Sequence, residues 1–220
     1  MEAIKNRLER MGLWDKIVEQ ELKSLWKYGV EKISNPGIKA SIVDFLSEEA
    51  PLSFFLNPAF PSGKHHPAWQ NGKCGILRNT TECCATVEDH LRMYHDFCDE
   101  NDNVLSLPRD IVLAATILSD TFKYGKEILN GVEKISSKVN GNHGKIAAHI
   151  WRDKYRARYP ITARAANEVF QAVYWHLGRW TEGWTPQTKF SLLTQITQRM
   201  DVIFADKNLE LLYRPRKTIK

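Results

Sequence analysis

The sequence predicts an all-α protein, a compact helical bundle. Three observations carry the prediction. Apolar residues recur at helical spacing in segment after segment. No run alternates apolar and polar residues over the length of a strand. The one long stretch without helical periodicity, 51–75, is punctuated by Pro51, Pro58, Pro61 and Pro67. With 220 residues, 43% hydrophobic and 26% charged, the chain can build one core without disulfides.

The elements follow in order. Ile4, Leu8, Met11, Leu13, Ile17, Leu22, Leu25 and Trp26 predict one long helix over residues 2–33, stopped by "SNPG" (Ser34 to Gly37). A short helix, "IKASIVDFL", comes next, then the irregular stretch containing "GKHHPAWQNGKCG". Asn79, Thr80 and Thr81 are capping residue types and predict the start of the helix that carries "ECCATVEDHL". Pro108 suits the first turn of "LPRDIVLAATILSD". Three further helices are expected in "GNHGKIAAHIWRDKYRA", "ITARAANEVFQAVYWHLGRW" and "PQTKFSLLTQITQRMDVIFAD".

Composition narrows the setting. No apolar run reaches the roughly 20 residues of a membrane span, and "MEAIKNRLERMGLWDK" carries charge throughout instead of a signal core. A cytoplasmic protein without membrane contact is expected. Cys74, Cys83, Cys84 and Cys98 form no C-x-x-C pair, which argues against a zinc knuckle and for free thiols in a reducing compartment. Much of the net charge of +5 lies in the tail, at Arg214, Arg216, Lys217 and Lys220, where it would either touch phosphates or remain a solvated end.

The chemistry-bearing residues sit on apolar helices. "VLAATIL" runs into Asp120, and a carboxylate at a helix C-terminus opposes the helix dipole, so a compensating cation is expected; Lys123 or a metal would serve. His149 in "GKIAAHIW" and His176 in "VFQAVYWHLGRW" follow apolar residues on two other helices. Two imidazoles and a buried carboxylate suit zinc, manganese, iron or nickel inside a bundle. His143 would replace His149 as ligand if its helix started earlier. Asp201 is a further acid on a late apolar helix, and His65 and His66 lie in the glycine-rich loop.

In order along the chain, five segments resemble the HD superfamily of metal-dependent phosphohydrolases, most closely the HD domain of YhaM-type 3′–5′ exoribonucleases. "HHPAWQNGKCGILRNT" (65–80) stands where that branch has "HHxxxGGLLEHT", and "TILSDTFK" (116–123) where it has "ALLHDIGK". "GKIAAHI" (144–150) is similar to "GxLxGHI", "WHLGRWTEGWTP" (175–186) to "SHHGxxExGSP", and "QITQRMD" ends in Asp201 like the family's late helix. The resemblance implies an HD-like domain over 51–207, an N-terminal helical extension over 1–50 and a basic tail over 208–220. It also shows departures: Ser119 replaces the histidine of the His-Asp pair, Asn79 the histidine of "LEHT" and Leu177 the second histidine of "SHHG".

The resemblance implies metal ligation by Asp120, His149, His176 and Asp201, with the loss of two imidazoles leaving a reduced, single-metal centre or none. The ion would be divalent: Mn, Zn, Fe, Ni or Mg. Lys123 and Arg179 would stabilise phosphate charge, and Asp120 or His66 would move protons. His65, Asn79, Ser119 and Trp180 would meet substrate, a nucleotide or short oligonucleotide. Trp175, Trp180 and Trp184 flank the expected pocket and would stack a base. The alternative is a catalytically inactive HD-fold protein that binds a nucleotide, nucleic acid or protein, with the N-terminal helix as a dimer or partner surface.

Overall fold

The computed structural model describes residues 1–62 and 66–204; His65 and the basic tail lie outside the described residues. The chain is mostly helical, with one two-stranded sheet among the described residues. No described helix is long and apolar enough to cross a membrane.

The N-terminal segment forms two helices where the apolar periodicity predicted one. Helix α1 (Glu2–Arg10) ends before Gly12, whose φ of +67° suits a residue without Cβ. Helix α2 (Lys16–Tyr28) then starts anew on Asp15, whose Oδ1 accepts from the backbone N–H groups of Ile17 and Val18 at 3.0 Å each. The apolar faces of both are spent internally: Ile4, Leu8, Val18, Leu22 and Leu25 are buried in the same core as the later helices. "SNPG" ends one element and begins another. Asn35 caps α3 (Pro36–Glu48) by accepting from Ile38 N–H, and Pro36 occupies its first turn.

The proline-rich stretch contains a short helix, α4 (Leu52–Leu56), and a 3₁₀ turn, Ala68–Gln70, that packs tightly on the start of α5 (Gly75–Ala85). A Cβ on Gly75 would stand 1.9 Å from the carbonyl oxygen of Gln70, so only glycine permits that approach. Helix α5 therefore begins earlier than its capping residue types suggested. Cys74, not Asn79, is its N-cap, and Asn79, Thr80 and Thr81 are buried inside it. Helix α6 (Val87–Arg92) follows.

Helix α7 (Ser106–Ser119) is the axis of the molecule. Every residue from Asp110 to Ser119 is buried, which is why its sequence is apolar on all sides. It packs against α3, α5, α6, α8 (His143–Ile150), α9 (Ala163–Tyr174) and α10 (Leu192–Phe204). Its one early acid, Asp110, is satisfied by the N–H groups of Ser34 (3.0 Å) and Asn35 (2.6 Å). Between α7 and α8 lies a hairpin whose strands are too short to show as an alternating pattern in the sequence: β1 (Glu127–Leu129) pairs antiparallel with β2 (Val132–Lys134). Asn130 and Gly131 both have positive φ, 53° and 75°, as the two-residue turn of a tight hairpin requires. Glu133 anchors it, accepting from Leu52 N–H (2.7 Å) and Arg7 Nη2 (2.6 Å). After α8 the helix widens into a π-turn, Trp151–Tyr155, that buries both aromatic rings.

Candidate metal centre

Three chain reversals bring the site together. Asp120 ends α7, and in the turn that follows, Lys123 N–H donates to the Asp120 carbonyl (3.1 Å). That turn returns the Lys123 ammonium to its neighbour's carboxylate, Nζ to Oδ2 2.9 Å, with both side chains at least nine-tenths buried. The Lys123 carbonyl in turn accepts from Asn140 N–H (2.7 Å), which fixes the chain just ahead of α8. His143, the first residue of α8, donates from Nδ1 to the Asn140 carbonyl (2.6 Å). His176, just past α9, donates from Nδ1 to the Val173 carbonyl (2.9 Å).

Those two carbonyl contacts fix the tautomers. With each Nδ1 carrying a proton, the neutral form of each ring presents its lone pair at Nε2. The two Nε2 atoms lie 2.9 Å apart, and Asp120 Oδ1 lies 3.2 Å from that of His143 and 4.0 Å from that of His176. Oδ1 is buried without a hydrogen-bond donor. Three potential donor atoms from three helix ends thus converge, and these three residues form the metal-competent group among the described residues. The backbone carbonyls supply the outer support that metal-ligating imidazoles ordinarily have. The residues present fit a divalent cation.

Close helix approach makes the convergence possible. A Cβ on Gly144 would lie 2.4 Å from Cε1 and Nδ1 of His176 and 2.7 Å from the Val173 carbonyl. Glycine beside His143 is what lets α8 come near enough to α9 for the two imidazoles to meet.

The electrostatics are those of a buried charge cluster. Burial pushes the Asp120 carboxyl up, but the Lys123 ammonium and the adjacent imidazoles outweigh it and hold the group well below the usual carboxylate range. Burial would lower Lys123, and the Asp120 and Asp201 carboxylates raise it instead, so the ammonium is kept. His176 is pushed down to about 3, first by burial and then by His143, and is neutral at ordinary pH. Asp201 on α10 is raised to about 6 by burial and by the Asp120 charge.

Asp120 also lines a cavity of about 20 Å³, room for one water. Asn79 and Cys83 of α5, Thr116 and Ser119 of α7, and Thr197 and Asp201 of α10 face it. Asn79 Oδ1 and Thr116 Oγ1 are buried there without partners. The Ser119 hydroxyl donates back to the Ala115 carbonyl (2.6 Å). Burial, then Asp201, pushes the Cys83 thiol up, so it is not a thiolate donor.

The sequence-predicted residues divide accordingly. Asp120, Lys123, His176, Asp201, Asn79 and Ser119 are brought together. His149 is not: it is exposed, accepts from Arg152 Nη2 at 2.9 Å and packs edge-on against Phe170 and Tyr174. His143 takes its place, because α8 starts at His143 and turns His149 outward. His66 is buried beside Gln70, Nδ1 to Oε1 2.8 Å, in a chain of hydrogen bonds that continues from Gln70 to Glu82 (2.6 Å). Arg179 and Trp180 stand at the rim of a groove that reaches His176 and Asp201. No protein-family model matches the chain, and no significant match to it is found among curated proteins or solved structures.

Proposed function

We propose that the chain is a divergent HD-superfamily phosphohydrolase that cleaves a phosphoester bond in a nucleotide or short oligonucleotide. It would work with one divalent ion held by Asp120, His143 and His176. One observation carries this reading: two imidazoles with their Nδ1 protons committed to carbonyls aim both Nε2 lone pairs, together with an orphaned carboxylate oxygen, at one point in the core. Burying three such groups is costly unless a cation joins them. Three protein donors leave positions open for water and substrate.

When bound, the ion would supply Lewis-acid polarisation of a phosphoryl oxygen and a more acidic water. The chain's own residues do the rest. Lys123 is fixed on Oδ2 of Asp120 and keeps that carboxylate ionised. The Nδ1 contacts prevent either imidazole from rotating away. Asp201 borders the groove beside His176 and is the carboxyl placed to take a proton.

Metal analysis of the purified chain, followed by a screen of nucleoside triphosphates, cyclic dinucleotides and short RNA, tests the reading. About one ion per chain, lost together with hydrolysis in Asp120→Asn, is the expected result. Absence of Mn, Zn, Fe and Ni uptake by the wild-type chain would overturn it. A second reading, a non-catalytic nucleotide-, nucleic-acid- or protein-binding protein on the same scaffold, is favoured by Asn79 and Ser119 beside Asp120, where the resemblance expects imidazoles. Stoichiometric metal without turnover of any of these substrates would select it.

A further inference from the structure

Beside the metal centre runs a groove of about 450 Å³, a size suited to a small organic ligand. His176 and Asp201 form its inner end. Trp180, Trp184 and Phe190 form its wall, with Arg179 and Arg199 beside them. Trp180 is 64% exposed, more than any other aromatic side chain among the described residues, and Trp184 is 37% exposed. Indole surface is ordinarily buried, so two open rings in one groove next to a charged centre call for a planar partner.

The platform is held in shape before any ligand arrives. Gly178 N–H donates to the Trp175 carbonyl (2.7 Å), Trp180 N–H to that of Leu177 (3.2 Å) and Trp184 N–H to that of Thr181 (3.1 Å). Gly178 has φ +57°, and a Cβ there would meet Gln198 at 3.5 Å; the Gln198 amide donates to the Trp175 carbonyl (2.8 Å). The Arg179 guanidinium lies 4.6 Å from the Trp180 ring centre, covering one face and leaving the other. Arg199 is tethered through Nη1 to the Tyr94 hydroxyl (2.5 Å). Neither arginine forms an ion pair among the described residues. Two guanidinium groups without a carboxylate partner, flanking an aromatic wall, complement a ligand that is a flat ring at one end and a phosphate at the other.

We infer that this groove is a base-binding subsite: the nucleobase of a nucleoside phosphate stacks on the free face of Trp180 against Trp184, while Arg179 and Arg199 take phosphate oxygens and point the ester toward Asp120, His143 and His176. The inference rests on the phosphoester reading above for the reaction, but not for the binding. Discrimination lies in the ring, so a nucleotide binds and a sugar phosphate of equal charge does not.

Calorimetric titration of the full chain with AMP, GMP, CMP, UMP and ribose 5-phosphate, with and without Mn²⁺, tests it. Nucleotides should bind at least about five-fold more tightly than ribose 5-phosphate, because one stacked base contributes a factor of roughly 5 to 150. Trp180→Ala should abolish that preference and Trp180→Phe should restore most of it; the ring is exposed, so neither change threatens folding. Arg199→Gln should weaken nucleotide and ribose 5-phosphate together. Equal affinity for AMP and ribose 5-phosphate, or an undiminished AMP preference in Trp180→Ala, overturns the subsite. Nucleotide binding by a chain that takes up no metal keeps the subsite and sinks the phosphohydrolase reading. Metal uptake with no ring preference does the reverse.

Discussion

His143 and His149 lie on one short helix, and exchanging their roles is the sharpest test of the centre. His143 Nε2 is 2.9 Å from His176 Nε2 and 3.2 Å from Asp120 Oδ1, whereas the His149 ring is exposed beside Phe170 and Arg152. Removing an outer-shell partner of a metal ligand typically costs 10- to 100-fold in affinity, so losing one of three direct donors should cost at least about 100-fold. A ligand at 100 times its dissociation constant stabilises a fold by about 2.7 kcal/mol. For a chain of this size that corresponds to roughly 5–10 °C in the melting temperature. Melting curves of wild type, His143→Ala and His149→Ala, each with chelator and with saturating Mn²⁺ or Zn²⁺, read this directly. Wild type and His149→Ala should gain those degrees on adding metal, and His143→Ala should gain almost none at the same concentration. A metal response that survives in His143→Ala and disappears in His149→Ala would refute the placement of the centre at Asp120, His143 and His176.

Gly144→Ala puts a methyl 2.4 Å from the His176 ring; the overpacking should cost about 1–3 kcal/mol in urea unfolding and abolish the metal response, and an unchanged midpoint with intact metal binding would show that α8 and α9 can part freely. Lys123→Met leaves the Asp120 carboxylate buried without its ammonium and should cost about 3–5 kcal/mol; adding Asp120→Asn should recover much of it, and additive losses would deny the coupling. The pH response of the metal-free chain has two opposing parts. His176 protonates near 6.5 when unfolded but only at about 3 when folded, so its contribution is present above 6.5 and is lost by about 1.4 kcal/mol per pH unit as pH falls below it. Asp201, raised to about 6, costs stability at higher pH, and that cost is relieved as pH falls through 6. Wild-type stability should therefore vary little between about pH 6 and 4 from this pair, and Asp201→Asn should uncover the falling limb in denaturant titrations; a flat profile in the variant counts against the burial of His176.

Much of the helical architecture was legible because burial writes itself into apolar spacing. The all-sided apolar run of α7 announced the central helix, and "SNPG" announced both an end and a beginning. Asp120 and Lys123 were legible as a pair because a carboxylate at the end of such a helix needs a cation. The choice between His143 and His149 depended on phase. Gly144, Ala147, Ala148 and Trp151 form the buried stripe of α8 and its continuation, and His143 sits on its edge while His149 falls outside it. The stripe beginning at Gly144 marks His143, not His149, as the inward imidazole. The break at Gly12 was masked by periodicity that resumes in phase after Asp15. Asn79, Thr80 and Thr81 are capping types in local chemistry alone, whereas α5 buries all three, with Asn79 and Thr80 lining a cavity. "EILNGVEK" carried a hairpin signal in its Asn-Gly, too short to register as strands.

The two oxygens of Asp120 divide the site into unlike halves. Oδ2 is already matched by a permanent cation, the Lys123 ammonium, 2.9 Å away. Oδ1 faces the Nε2 atoms of two imidazoles, 3.2 Å from His143 and 4.0 Å from His176. A second divalent ion beside Lys123 would meet a like charge and no nitrogen ligand, while an ion on the other side meets three convergent donors and an open groove. The same carboxylate therefore supports one metal and one ammonium more readily than two metals.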